Sequence, residues 1–205
     1  MIERKPIQIQ KPCILIVEGK HDKAFFEAFC DHFQKDLQVI ALQGKDNLKN
    51  RLESIKNESN FRSTVKSIGI VMDADEDPKS TFRSIQDSLR RIELACPSKP
   101  FEFIEGKPRI GIAILPDENT PGELEDLCLK VIQEESTFCC VERYFRCLMD
   151  NGAQLKKISK AKIYAYLSSK ERPELRLGEA AKAGYLRFDH PALCRLKDFI
   201  CCLTT

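Results

Sequence analysis

Along the first half of the chain, apolar runs alternate with amphipathic stretches. Residues 13–17, CILIV, form a short β-branched run, the pattern of a strand buried on both faces. In the following EGKHDKAFFEAFCDHF, Phe25, Phe29 and Phe33 recur every four residues, on one face of a helix. Gly19 supplies the turn between that strand and helix. LQVIAL (37–42) predicts a second strand, QGKDN a turn, and LKNRLESIKN (48–57) a helix with a polar face. SIGIVMDAD predicts a third buried strand ending at Met72, with acids directly after it. Phe82, Ile85, Leu89 and Ile92 set helical spacing over 80–94. This β-α-β-α-β-α order implies a parallel sheet with right-handed crossovers.

Residues 96–109 hold three of the ten prolines and read as loop or edge strand. IGIAILP (110–116) predicts a fourth strand, and TPGELEDLCLKVI a helix with Thr120 as N-cap and Pro121 at its first position. Further helices are predicted over 137–149, 157–169 and 190–202, with LRLGEAAKAGYL linking the last two. The expected class is α/β: a parallel, Rossmann-like sheet flanked by helices over 1–135, with a helical C-terminal part over 136–205 packed on it.

Composition narrows the class. Apolar residues make up 42% of 205, enough for a core and too many for a disordered chain. No apolar run approaches the roughly 20 residues of a membrane span. The N-terminal MIERKPIQIQKP lacks the apolar centre of a signal peptide. A soluble, cytoplasmic protein without a membrane partner is expected. The ten cysteines include adjacent pairs at 139–140 and 201–202 and no CxxC. They read as free thiols in apolar stretches, not as a disulfide or zinc framework.

The net charge of +2 does not advertise nucleic-acid binding, but its distribution is uneven. From Lys156 onward, eleven Lys and Arg stand against five acids. Such an excess suits either a basic face for a polyanion or a solvated helical surface.

In open parallel sheets, sites lie at the carboxyl ends of strands. Glu18 follows the first strand, and Asp73 and Asp75 follow the third. Asp22, one helical turn after Glu18, can return to the same rim. Convergent carboxylates repel unless a cation neutralises them, and oxygen donors without matched His or Cys suit Mg²⁺ or Mn²⁺. Asp77 reads as a cap for the helix near Ser80, and His21 as a solvent-facing residue of a first helical turn. Lys20 and Lys45 are candidate phosphate contacts, against the plainer readings of a surface lysine and an ordinary loop.

ILIVEGKHD followed by IGIVMDADED resembles the paired hhhEGxxD and hhhDxD motifs of the Toprim domain, over roughly residues 12–95. That domain occurs in topoisomerases, primases, RecR-type recombination proteins and OLD-family nucleases. With TPGELEDL and LRLGEAAKAGYL, the whole chain resembles small stand-alone Toprim proteins of bacteria and archaea. The resemblance implies that Glu18 is a metal ligand or general acid/base, and that Asp22, Asp73 and Asp75 bind metal. By likeness to the OLD nucleases, Glu123 or Glu125 would join a second metal, and Lys160 or Lys162 would offset charge on the phosphate.

The expected function is therefore Mg²⁺- or Mn²⁺-dependent phosphodiester hydrolysis on nucleic acid, chemistry that carboxylate-held metals and a lysine can supply. The alternative is a non-catalytic module that binds metal, nucleic acid, a protein partner or a second copy. A topoisomerase would need a tyrosine on a separate large domain. A haloacid-dehalogenase-type phosphatase would have no role for EGKHD.

Overall fold

The apolar runs become neighbouring strands because each is hydrophobic on both faces and needs cover on both. The computed structural model describes residues 8–42, 44 and 47–205. In chain order its elements are β1 (Cys13–Val17), α1 (Lys20–His32), β2 (Gln38–Ala41), α2 (Leu48–Lys56), α3 (Phe61–Thr64), β3 (Ser67–Asp73) and α4 (Pro78–Arg91). They continue with β4 (Phe103–Ile104), β5 (Arg109–Leu115), α5 (Leu124–Ile132), α6 (Phe138–Asp150), α7 (Ile158–Leu167), α8 (Leu177–Lys182) and α9 (Cys194–Leu203). Among the described residues, five strands form one sheet in the order β2-β1-β3-β5-β4. All pairings are parallel except that of the short edge strand β4 with β5. Val17 lies level with Val71, and Asp73 with Leu115, so the acids at these strand ends emerge on one rim.

One sheet face is almost entirely isoleucine. Ile14, Ile16, Ile68, Ile70, Ile110, Ile112 and Ile114 pack there against Leu52, Ile55, Phe82, Ile85 and Leu89 of α2 and α4. The other face, with Leu15, Val17, Val71, Ala113 and Leu115, is covered by α1, α5 and the helices from α6 onward. Phe188 stands edge-on to Phe25 and Phe29, with ring centroids 5.6 and 5.1 Å away. The Ser67 hydroxyl donates to the Leu203 carbonyl at 2.6 Å, fastening α9 to the foot of β3.

The sequence reading needs four corrections. β3 runs one residue further than Met72, through Asp73. Helix α5 starts at Leu124 with Glu123 as N-cap, not at Pro121 behind Thr120. The Thr120 amide instead donates to Asp117 in a turn. The link LRLGEAAKAGYL contains α8, although glycine in its first turn lowers helix propensity. Only Cys30 and Cys128 are buried; Cys139, Cys140, Cys147, Cys194 and Cys202 are exposed, because those helix faces point outward, although all ten are free thiols. No helix among the described residues is long and apolar enough to cross a membrane.

Candidate functional site

The site is assembled at the rim by hydrogen bonds that tie three turns together. The Leu124 amide, at the first turn of α5, donates to Asp73 Oδ1 at 2.9 Å. Beyond Asp73, Asp75 adopts a positive φ of 50° and forms a two-bond backbone bridge with Gly122, at 3.0 and 2.8 Å. Gly122 has φ of 144°, and a Cβ there would meet Asp126 Oδ2 at 2.7 Å, so a side chain is excluded on both counts. This bridge holds the chain out of helix until Glu123 and places Glu123 and Glu125 beside the β3 acids. The Glu123 amide then donates to Asp126 Oδ2 at 2.7 Å, capping α5.

The helical C-terminal segment closes the opposite side. Ser159 donates from the first turn of α7 to Asp126 Oδ1. Lys157, the N-cap of α7, donates to Glu123 at 2.5 Å, and Lys160 pairs with Glu125 at 3.1 Å. On the β1 side, the Gly19 amide donates to Asp22 Oδ2 at 2.7 Å and caps α1. Helix α8 sits against that first turn so closely that a Cβ on Gly178 would lie 2.6 Å from Ala24 Cβ and from the His21 carbonyl oxygen. Its N-cap, Arg176, thereby reaches His21, with Nη1 2.8 Å from Nε2. Guanidinium only donates, so in this contact His21 Nε2 is the acceptor.

These contacts enclose a cavity of about 200 Å³ lined by Glu18, Asp22, Asp73, Asp75, Glu123 and Glu125, with Lys157, Lys160, Arg176, His21 and Tyr164. The N-caps of α1, α5, α7 and α8 all reach it, and their positive dipole ends offset part of the acid charge. A second cavity of about 700 Å³ shares Asp75, Glu123, Lys157 and Lys160 with the first. It continues between Lys156 and Ser159 on one wall and Glu76, Asp77, Ser80 and Thr81 on the other.

Among the described residues, six carboxylates face three cations in the smaller cavity. Burial raises the pKa of Asp22, and the charge of Glu125 raises it further, against the opposing bond from Gly19. The hydrogen bond to Glu123 holds the Lys157 ammonium above its ordinary value. Burial works to lower Lys160, but its bond to Glu125 helps hold it above the ordinary value. Burial, with Glu125, Asp73, Asp22 and Asp126 around it, pushes the Cys128 thiol far up and leaves it inert as a nucleophile.

The donor chemistry, carboxylate oxygen throughout, fits a hard divalent cation. As the side chains lie, no three His, Cys, Asp or Glu among the described residues form a ready metal-holding group. The reason is visible: Asp22, Asp73, Glu123 and Glu125 each face an internal donor, namely Gly19, Leu124, Lys157 and Lys160. A cation bound there would have to displace Lys157 and Lys160 from Glu123 and Glu125.

Of the residues expected at the site, Glu18, Asp22, Asp73, Asp75, Glu123, Glu125 and Lys160 are brought together. Lys162 is not; it pairs with Glu142 at 2.7 Å on the far side of α7. Lys20 is exposed on α1 and lines neither cavity, and Lys45 lies outside the described residues. Asp77 caps α4 as expected, accepting from the Lys79 and Ser80 amides at 2.9 and 3.2 Å. His21 is exposed as expected, yet it lines the cavity. Lys157, Tyr164 and Arg176 were not anticipated; the pair Lys156-Lys157 at the predicted start of a helix was the one available signal.

No curated protein and no solved structure matches this chain. A family model described as a protein of unknown function, DUF3226, covers residues 12–205, and with nearly the whole chain matched the protein belongs to that family.

Proposed function

We propose that the protein hydrolyses phosphodiester bonds in nucleic acid with the help of Mg²⁺ or Mn²⁺ held at the strand-end rim. The observation that carries this reading is the convergence of Glu18, Asp22, Asp73, Asp75, Glu123 and Glu125 in one cavity beside Lys160. A divalent cation bound there would neutralise phosphate charge and make a bound water more acidic. Glu18, Asp73 and Asp75 are the residues proposed to hold it, with Asp22, Glu123 and Glu125 as further donors. Were Glu125 to hold the cation, the Lys160 ammonium now paired with it would be available to offset charge developing on the phosphate. The likeness of ILIVEGKHD and IGIVMDADED to the Toprim motif pair supports the same assignment. Ten free thiols suit a reducing compartment, and we place the protein in the cytoplasm.

A second reading has an observation of its own. The pairs Lys157–Glu123 and Lys160–Glu125 already neutralise two of the acids, as suits a module that binds metal, nucleic acid, a protein partner or a second copy without turnover. Plasmid, linear DNA and RNA incubated in Mn²⁺ with wild type and Glu18→Gln separate the readings. Wild-type cleavage that falls at least about 100-fold in the variant supports hydrolysis. Equal cleavage by both proteins marks a contaminant. Mn²⁺ binding with no cleavage of any substrate favours the module.

A further inference from the structure

We infer that Arg176 is a substrate-phosphate ligand of the acidic cavity, held in position by His21; this deepens the proposed reading and rests on it. Among the described residues, three cationic side chains line the cavity, and two are committed: Lys157 to Glu123 at 2.5 Å and Lys160 to Glu125 at 3.1 Å. Arg176 differs. Among the described residues it has no carboxylate within ion-pair distance, and its side chain donates from Nη1 to His21 Nε2 at 2.8 Å. A guanidinium carries five N–H donors, so most of its hydrogen-bonding capacity remains for an anion. Its planar fork matches two phosphate oxygens at once.

Arg176 is exposed, but the backbone that carries it is tightly packed. Leu175, Leu177, Ala180 and Ala181 are buried, and a Cβ at Gly178 would clash with Ala24 and the His21 carbonyl, so α8 sits close against α1. The Arg176 amide donates to Glu179 at 2.9 Å, which caps α8 independently of the Arg176 side chain. His21 belongs to the same turn of α1 as Asp22, so the Arg176–His21 bond gives the guanidinium a fixed relation to the acids. An imidazole nitrogen orients the arginine by a hydrogen bond and leaves it outside any ion pair, which a carboxylate at that position would form.

The ligand chemistry is a phosphodiester adjacent to the one that would be cut. Arg176 lies in the smaller cavity, whereas Lys156 lines the larger one beyond the shared residues. A strand following both cavities would pass Arg176 in the smaller and Lys156 in the larger. A polynucleotide meets both cations; a free mononucleotide meets one.

The test uses the full chain, a short labelled single-stranded oligonucleotide in Ca²⁺, and anisotropy as a function of salt. Arg176→Ala is expected to weaken binding about tenfold or more. It should also lower the salt slope by about one, a readout that a purely structural role would not move. Mn²⁺ affinity and melting temperature should match wild type. Arg176→Lys should recover part of the affinity, and His21→Ala should lose less than Arg176→Ala. Wild-type affinity and slope in a folded Arg176→Ala variant would overturn the subsite and leave the proposed activity standing. Arg176-dependent binding with no cleavage in Mn²⁺ would overturn hydrolysis and uphold the subsite. A wild-type protein that binds neither Mn²⁺ nor the oligonucleotide overturns both.

Discussion

Both ends of α7 carry lysine–glutamate contacts to the α5 region, yet only one end opens on the acid-lined cavity. Near the C-terminal end, Tyr166 is fully buried, and its hydroxyl donates to Glu135 at 2.6 Å. Lys170 pairs with the same carboxylate at 2.9 Å and lies 4.2 Å from the Tyr166 ring centroid. Burial alone would raise the Glu135 pKa, but the bonds from Tyr166 and Lys170 outweigh it and hold the carboxyl below its ordinary value. Two donors and one acid make a closed clamp. At the N-terminal end, Lys157 and Lys160 meet Glu123 and Glu125 inside a cavity that also holds Glu18, Asp22, Asp73 and Asp75. The pairing is the same; the surplus of acid and the open space are not. Ion pairs between helices are common structural furniture, and several like charges gathered at a cavity are the better mark of chemistry.

This contrast breaks most visibly at Glu18. Glu18→Gln should reduce Mn²⁺-dependent cleavage at least about 100-fold, while Tyr166→Phe should leave it unchanged. In stability the order reverses. Tyr166→Phe removes a buried bond worth about 1 kcal/mol, measurable by denaturant unfolding. It should also remove an alkaline limb. Burial, and then the bond to Glu135, push the Tyr166 hydroxyl from 10.0 to about 12. A raised folded pKa gives stability that is fully present below pH 10 and lost as pH rises through about 12. Wild type should show that loss, and Tyr166→Phe should not.

The smallest effect belongs to Lys157, whose side chain is 64% exposed. Lys157→Ala should change stability by less than about 0.5 kcal/mol, because solvent screens the pair. By freeing Glu123 it should strengthen Mn²⁺ binding a few-fold in calorimetry. Weaker binding would mean that the lysine supports the cation site instead of competing for it.

Much of the rim was legible before the fold. Glu18, Asp73 and Asp75 end buried β-branched runs, and parallel strands must deliver such ends to one edge. The isoleucine face and the phenylalanine spacing of α1 follow from periodicity. What was not legible depends on contacts between distant segments. The start of α5 was misplaced because Thr120-Pro121 is a good local cap. The Asp75–Gly122 bridge and the Asp126 cap override it. Helix α8 was missed because Gly178 argues against helix, yet the close approach to Ala24 is what requires glycine there. Arg176 was invisible for the same reason, since its place depends on that packing. Lys160 and Lys162 both lie on α7, and only the turn of the helix relative to Glu125 and Glu142 separates the site residue from the structural one.

The most direct measurement is calorimetric titration of Mn²⁺ into wild type and into the double variant Asp73→Asn, Asp75→Asn. Asparagine keeps an acceptor for the Leu124 amide, so the start of α5 should stay capped and the variant folded. Saturable binding to wild type and none to the folded variant is the expected result. Equal binding by both proteins, or none by wild type, would contradict a cation centre at this rim.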